Sequence, residues 1–128
     1  MKPRTPLDLL PPTERPYFDR LGPGVVVVLP GERPGAGEWG RSGPPNGGAW
    51  IHLGEDGKAR AFIGKVEVGQ GTRTALSLLV AEELSLPLLS VELTMGDTDA
   101  CPWDMGTFGS RSMPDAGEHL RRTAAAAR

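Results

Sequence analysis

Residues 49–95 read AWIHLGEDGKARAFIGKVEVGQGTRTALSLLVAEELSLPLLSVELTM, and the order of signals within them decides the fold. Trp50-Ile51-His52-Leu53 and Ala59-Arg60-Ala61-Phe62-Ile63 flank Gly54-Glu55-Asp56-Gly57-Lys58. An Asp-Gly dipeptide between two apolar runs offers the positive φ of a tight turn, so this is an antiparallel β-hairpin. Alternation continues through Lys65-Val66-Glu67-Val68 until Gly69 breaks it, which puts Gln70 at a strand-to-helix corner. Thr72 to Ser85 has threonines at 72 and 74 suited to an N-cap. It also carries Ala75, Leu78, Leu79, Val80 and Leu84 at spacings that make one broad apolar helix face. Pro87 stops that helix, and Leu89 to Met95 alternates as a strand. A strand, a helix and a strand in succession lay the second strand beside the first with the helix across one face. The fold class is α+β: a small layer of β-hairpin plus a further strand, with a packed helix.

Working outward, Gly96 to Met113 is too long for an ordinary connection, and loops of that length are commonly functional. Pro114 to Arg128 opens with proline and acidic residues and carries its arginines later, which predicts a C-terminal helix. On the other side, residues 1–48 read as an extended Pro/Gly-rich arm and linker, and residues 49–128 as the packed part. Residues 1–16 hold five prolines. Tyr17–Leu21 suits a single helical turn, and Val25–Leu29 is either a short buried strand or an apolar tail. Residues 30–48 have almost no apolar content besides Trp39, so ordering them is repaid by little burial.

The chain has 128 residues, of which 18 are Gly and 13 Pro, and roughly 80 are left to build a core, near the size where isolated cores become marginal. Reliance on a partner or on further chain is expected. A net charge of −2 makes no electrostatic case for nucleic acid or an anionic membrane. The single cysteine, Cys101, excludes an internal disulfide framework, and His52 and His119 lack metal-ligand spacing. His52 is expected to pack at the surface or half-buried, and His119 to be solvated. The run Val25–Leu29 is too short for a secretory or membrane-spanning segment and Arg15 and Arg20 are not paired, so the expected compartment is cytoplasm or periplasm.

The chemistry-bearing residues collect in two glycine-rich loops, Gly64–Gly71 (GKVEVGQG) and Gly96–Arg111 (GDTDACPWDMGTFGSR). Such loops offer main-chain donors at close approach, and Gln70, Thr107, Ser110 and Arg111 add side chains for a polar ligand. Because Gly69-Gln70-Gly71 runs straight into a helix, unpaired N–H groups and the positive end of the dipole are expected to face that ligand and to favour an anion. Trp103 and Phe108 either cover a ligand or fill a small core inside the long loop. Glu82-Glu83 reads as a solvated helix face.

The runs Gly64–Ala75, Ala81–Leu84, Met95–Asp99 and Asp104–Arg111 together resemble the molybdenum hydroxylase family of xanthine dehydrogenases and aldehyde oxidases. More narrowly, the chain is similar from about Ala49 to Arg128 to the molybdopterin-binding large subunit of the isoquinoline 1-oxidoreductase and nicotinate dehydrogenase type. The resemblance implies a site for molybdopterin cytosine dinucleotide with molybdenum. It assigns Gly69, Gln70, Gly71 and Thr72 to a first contact, and Gly106, Thr107, Phe108, Gly109, Ser110 and Arg111 to a second, against the pterin or its diphosphate.

It further implies oxidative hydroxylation of an N-heteroaromatic or aldehyde carbon, with electrons passing to a [2Fe-2S] subunit and a cytochrome c subunit. Large subunits of this kind run to several hundred residues and carry another glycine-rich loop and a glutamate base that this chain lacks. The expectation is therefore a partial site, completed by the rest of a large subunit or a split partner and inactive alone, with no catalytic residue or metal ligand in this chain. Two alternatives stand beside it: an independent phosphate- or nucleotide-binding module, and a truncated remnant without a ligand.

Overall fold

The computed structural model describes residues 17–29, 48–104 and 106–128. Four strands form one mixed sheet in the order β1 (Gly24–Val28), β2 (Ala49–Gly54), β3 (Ala59–Ile63) and β4 (Val91–Met95). β1 and β3 both run antiparallel to β2, whereas β4 lies parallel to β3 with Ala61 opposite Leu93. The parallel pair needs a crossover, which α1 (Thr72–Leu84) supplies. A second helix, α2 (Glu118–Ala127), packs against α1 and the sheet.

The two-residue period of the strands sorts side chains to two faces. Ala49 and Ile51 of β2 and Ala59, Ala61 and Ile63 of β3 are fully buried beneath Leu76 and Val80 of α1 and Leu120 and Ala124 of α2. Small residues on the strands let the helices approach closely, and the branched residues fill the gap between layers. Truncating fully buried Leu76 or Leu120 to alanine would cost about 2–5 kcal/mol. On the opposite face Trp50 and Phe62 lie under Phe18, Ala100 and Cys101. Phe18 stands 5.0 Å from the Phe62 ring and 5.8 Å from Trp50.

The hairpin, the crossover helix and the parallel strand match the sequence reading. Within the N-terminal segment the single turn read at Tyr17–Leu21 is present as a 3-10 turn at Phe18–Arg20 that covers Trp50 and Phe62. Of the two readings of Val25–Leu29 the strand holds, as β1, which extends the sheet. Burial of Phe18 and the ladder to β2 offset the cost of ordering this stretch. Residues 1–16 and 30–47, including Trp39, lie outside the described residues.

Other boundaries also shift. β3 ends at Ile63 rather than running on to Val68, because Gly64 packs against Pro102 and Asp104 and the chain leaves the sheet there. The buried face of α1 is Thr72, Leu76, Val80 and Ala81, and Leu78 is half exposed, since i, i+4, i+8 spacing selects the first three. That helix stops at Leu84, three residues before Pro87. Ser85 turns left-handed at φ 54°, and the N–H groups of Ser85 and Leu86 return to the Glu82 and Ala81 carbonyls. Leu88–Ser90 is a 3-10 turn, so β4 starts at Val91. The C-terminal helix begins only at Glu118, after a π-helical turn at Ser112–Gly117.

His52 is buried at 2% exposure, and its imidazole occupies the space beside Gly24 that a Cβ would need. His119 is half-buried against Gly48 rather than solvated.

Candidate functional site

Both glycine-rich loops leave the same end of the sheet. Gly64 follows the C-terminal end of β3 and Gly96 that of β4, so the parallel pairing of these strands brings the loops side by side. The C-terminal ends of parallel strands are where α/β layers commonly place ligands.

Lys65 fastens the loops together. Its ammonium donates to Asp104 Oδ1 at 2.9 Å and to the Gly106 carbonyl at 2.6 Å. Asp104 Oδ1 also accepts the Gly106 N–H at 2.7 Å, so one ion pair grips both polar groups of Gly106. The lysine and aspartate side chains are 7% and 15% exposed, and at that burial an unpaired charge would be costly. Next to this pair the Val66 N–H donates to Thr107 Oγ1 at 2.8 Å. Gly64 is the close-contact point: a Cβ there would collide with the Asp104 side chain and stand 2.8 Å from the Pro102 carbonyl.

Between the loops lies an open groove of about 390 Å³, lined by Gly64 and Val66 from one side and by Gly96, Asp97, Trp103 and Asp104 among others from the second. Its floor includes buried Cys101, whose thiol donates to the Thr94 carbonyl at 3.4 Å. Asp97 Oδ1 accepts the N–H groups of Asp99 and Ala100, which folds the start of the second loop into a tight turn. Trp103 and Phe108 are 37% and 56% exposed, so neither fills a core inside the loop.

The N-terminus of α1 differs from expectation. Glu67 Oε1 accepts the N–H groups of Gly69 and Gly71 at 2.7 and 3.1 Å, and Oε2 accepts that of Arg73 at 2.8 Å. The Arg73 N–H, joined by those of Gly69 and Gly71, holds the Glu67 carboxyl below the usual carboxylate range. The charge expected at this helix end thus comes from the chain itself. Gln70 likewise folds inward, accepting the Val68 N–H at 2.7 Å and donating to the Val66 carbonyl at 3.0 Å. The Arg73 guanidinium reaches across to the Leu93 carbonyl at 2.6 Å and ties α1 to β4.

Of the ten residues singled out from the sequence, Thr107 and Gly106 meet the first loop directly. Gly69, Gln70 and Gly71 are exposed at the corner, Gly71 as the N-cap of α1, and Thr72 is buried in its first turn. Phe108, Gly109 and Ser110 are exposed in the second loop, where Ser110 has φ 55°. Arg111 pairs with Asp115 at 2.7 Å in the following turn. None of the ten lines the groove, which opens nearer the roots of the loops. Sequence reasoning missed Lys65, Glu67 and Asp104. For Glu67 a signal existed, an acidic residue just ahead of a helix start, whereas nothing local pairs Lys65 with Asp104. Among the described residues no group of three or more His, Cys, Asp or Glu is placed to hold a metal, and no helix is long and apolar enough to cross a membrane.

Comparison with known proteins gives this geometry a family. The chain is 39% identical over 79 residues to a nicotinate dehydrogenase subunit of Pseudomonas putida, covering 62% of this chain and 7% of that protein. It is 39% identical over 67 residues to the carbon monoxide dehydrogenase large chain of Hydrogenophaga pseudoflava, covering 52% and 8%. To the xanthine dehydrogenase molybdenum-binding subunit of Escherichia coli O157:H7 it is 37% identical over 78 residues, covering 60% and 10%. The match thus spans a tenth or less of these relatives' length. The sequence profile of the molybdopterin cofactor-binding domain matches residues 13–128, a span that takes in every described residue, and the chain belongs to that family.

Proposed function

We propose that this chain forms one wall of a molybdopterin cytosine dinucleotide site in a molybdenum hydroxylase large subunit and is inactive alone. The observation that carries the reading is the pair of glycine loops clasped by Lys65 and Asp104 beside an open groove, in a chain of the molybdopterin-binding family.

The residues suit such a group. Val66 and Trp103 offer apolar surface to a fused ring, and the carboxylates of Asp97 and Asp99 accept from the N–H edge of a pterin. Gly69 and Gly71 have nothing within 4 Å of where a Cβ would stand, so a ligand can reach their main chain. The segment Thr107–Arg111, exposed at Phe108, Gly109 and Ser110 and half-buried at its two ends, supplies the Ser110 hydroxyl for a diphosphate, and the Arg111 guanidinium, paired with Asp115, stands at its end. When bound, the cofactor supplies the two-electron oxidation that hydroxylates an N-heteroaromatic or aldehyde carbon. This chain's part is to bind and orient. Glu82 is exposed and Glu83 half-buried in the last turn of α1, away from the groove lining, and the acid–base residue belongs to the rest of the large subunit. A [2Fe-2S] subunit and a cytochrome c subunit complete the electron path, in the cytoplasm or periplasm.

A free-standing phosphate-binding module is disfavoured, because Glu67 already fills the helix N-terminus where a phosphate would bind. The deciding experiment co-expresses the chain with the remaining large-subunit sequence in a host that makes the cofactor. Molybdenum and cytidine nucleotide in the purified complex are the expected result. Isolated chain that binds free nucleotides while the complex contains neither would reverse the choice.

A further inference from the structure

Glu67 does more than end a strand-like run. Its two carboxylate oxygens take N–H groups from Gly69, Gly71 and Arg73, three bonds between 2.7 and 3.1 Å. Gly69 and Gly71 both have positive φ, 99° and 78°, so the backbone curls around the carboxylate as it would around a bound anion. A negative charge there is favoured by the dipole of α1. The neighbouring cations are directed elsewhere: Arg73 donates to the Leu93 carbonyl, and Lys65 to Asp104 and Gly106. Gln70 braces the same loop through Val66 and Val68. The loop is therefore shaped before any ligand arrives, and its anion position is filled.

We propose that Glu67 is the positioning residue of the cofactor loop, standing where a ligand phosphate would otherwise sit at the N-terminus of α1 and reserving Gly69–Gly71 for an uncharged part of the ligand. This rests on the reading that the loop faces the cofactor. It follows that the diphosphate is received by the Thr107–Arg111 side.

The test uses amide NMR of the full chain with inorganic pyrophosphate as the probe. In the wild type the Gly69, Gly71 and Arg73 amides stay in place as millimolar pyrophosphate is added. In Glu67→Ala they move on substitution and respond to pyrophosphate. Wild-type amides that shift with pyrophosphate, or unchanged amides in Glu67→Ala, overturn the proposal.

If Glu67→Ala does not fold, an acid titration of the wild type decides: the three amides should move together with one midpoint below 4.5, and independent movement overturns the proposal. In the loaded complex, molybdenum content should fall in Glu67→Ala and be partly restored in Glu67→Gln, which keeps one acceptor oxygen. Full molybdenum content in both variants beside the expected amide behaviour would sink the cofactor role of this loop while leaving the carboxylate's place in it intact.

Discussion

Lys65 and Asp104 stand 39 residues apart in the chain and form a buried ion pair at 2.9 Å that joins the loop after β3 to the loop after β4. The same pair holds Gly106 by both its N–H and its carbonyl, so it sets the course of the backbone into Thr107. The groove between the loops depends on this clasp.

Removing one partner leaves the other charge buried, so Lys65→Met or Asp104→Leu should each destabilise the fold by about 3 kcal/mol. The double variant should recover much of that loss, because neither charge is then stranded. Urea unfolding of the four proteins in a double-mutant cycle measures the coupling.

Two glycines should fail for different reasons. Gly64→Ala meets the Pro102 carbonyl and the Asp104 side chain, and should cost about 1–3 kcal/mol through overpacking while loosening the clasp. Gly71→Val has open space but φ 78°, and should cost about 1–2 kcal/mol or more through backbone strain at the head of α1. Gly64→Ala should move the Lys65 and Gly106 resonances, and Gly71→Val those of the first turn of α1.

Ser85 closes α1 in the left-handed region at φ 54° and is exposed. Ser85→Gly keeps the two closing hydrogen bonds and relieves the strain, so it should raise stability by about 1 kcal/mol. A thermal melt shows the gain as a higher midpoint.

Acid should weaken the hairpin end of the sheet. Asp56 is lowered from 3.8 to about 2, first by its hydrogen bonds from Arg60 and then by the Lys58 N–H. A carboxyl depressed in the folded state adds stability that is fully present above the unfolded value and is lost as pH falls through the folded one. The contribution should therefore disappear between about pH 4 and pH 2. Asp56→Asn should be less stable than the wild type at neutral pH, with the gap closing over that window, and added salt should shrink the gap because the pair is exposed.

Much of the fold was legible because its signals are local. Asp56-Gly57 announces the hairpin, and helix formers from Thr72 to Leu84 announce α1. β1 was ambiguous because Val25–Val28 sits between Gly22-Pro23-Gly24 and Pro30, and only pairing with β2 makes it a strand. The start of α2 was misplaced because Pro114 looks like a first-turn residue, while the backbone there makes a π turn. The loops were legible as candidate ligand loops through their glycines. Their organisation was not, since a Lys–Asp clasp across 39 residues leaves no local pattern and Glu67 hides within an alternating run.

The cofactor role itself is tested most directly by the molybdenum and cytidine nucleotide content of the chain assembled with the remaining large-subunit sequence. Measurements on the wild type, Lys65→Met, Gln70→Ala and Arg111→Ala compare the clasp with the two candidate contacts. The wild-type complex should hold molybdenum and cytidine nucleotide in equal amounts, and all three variants should hold less of both while the subunits still assemble. Undiminished content in all three variants, or a wild-type complex that contains neither, would contradict it.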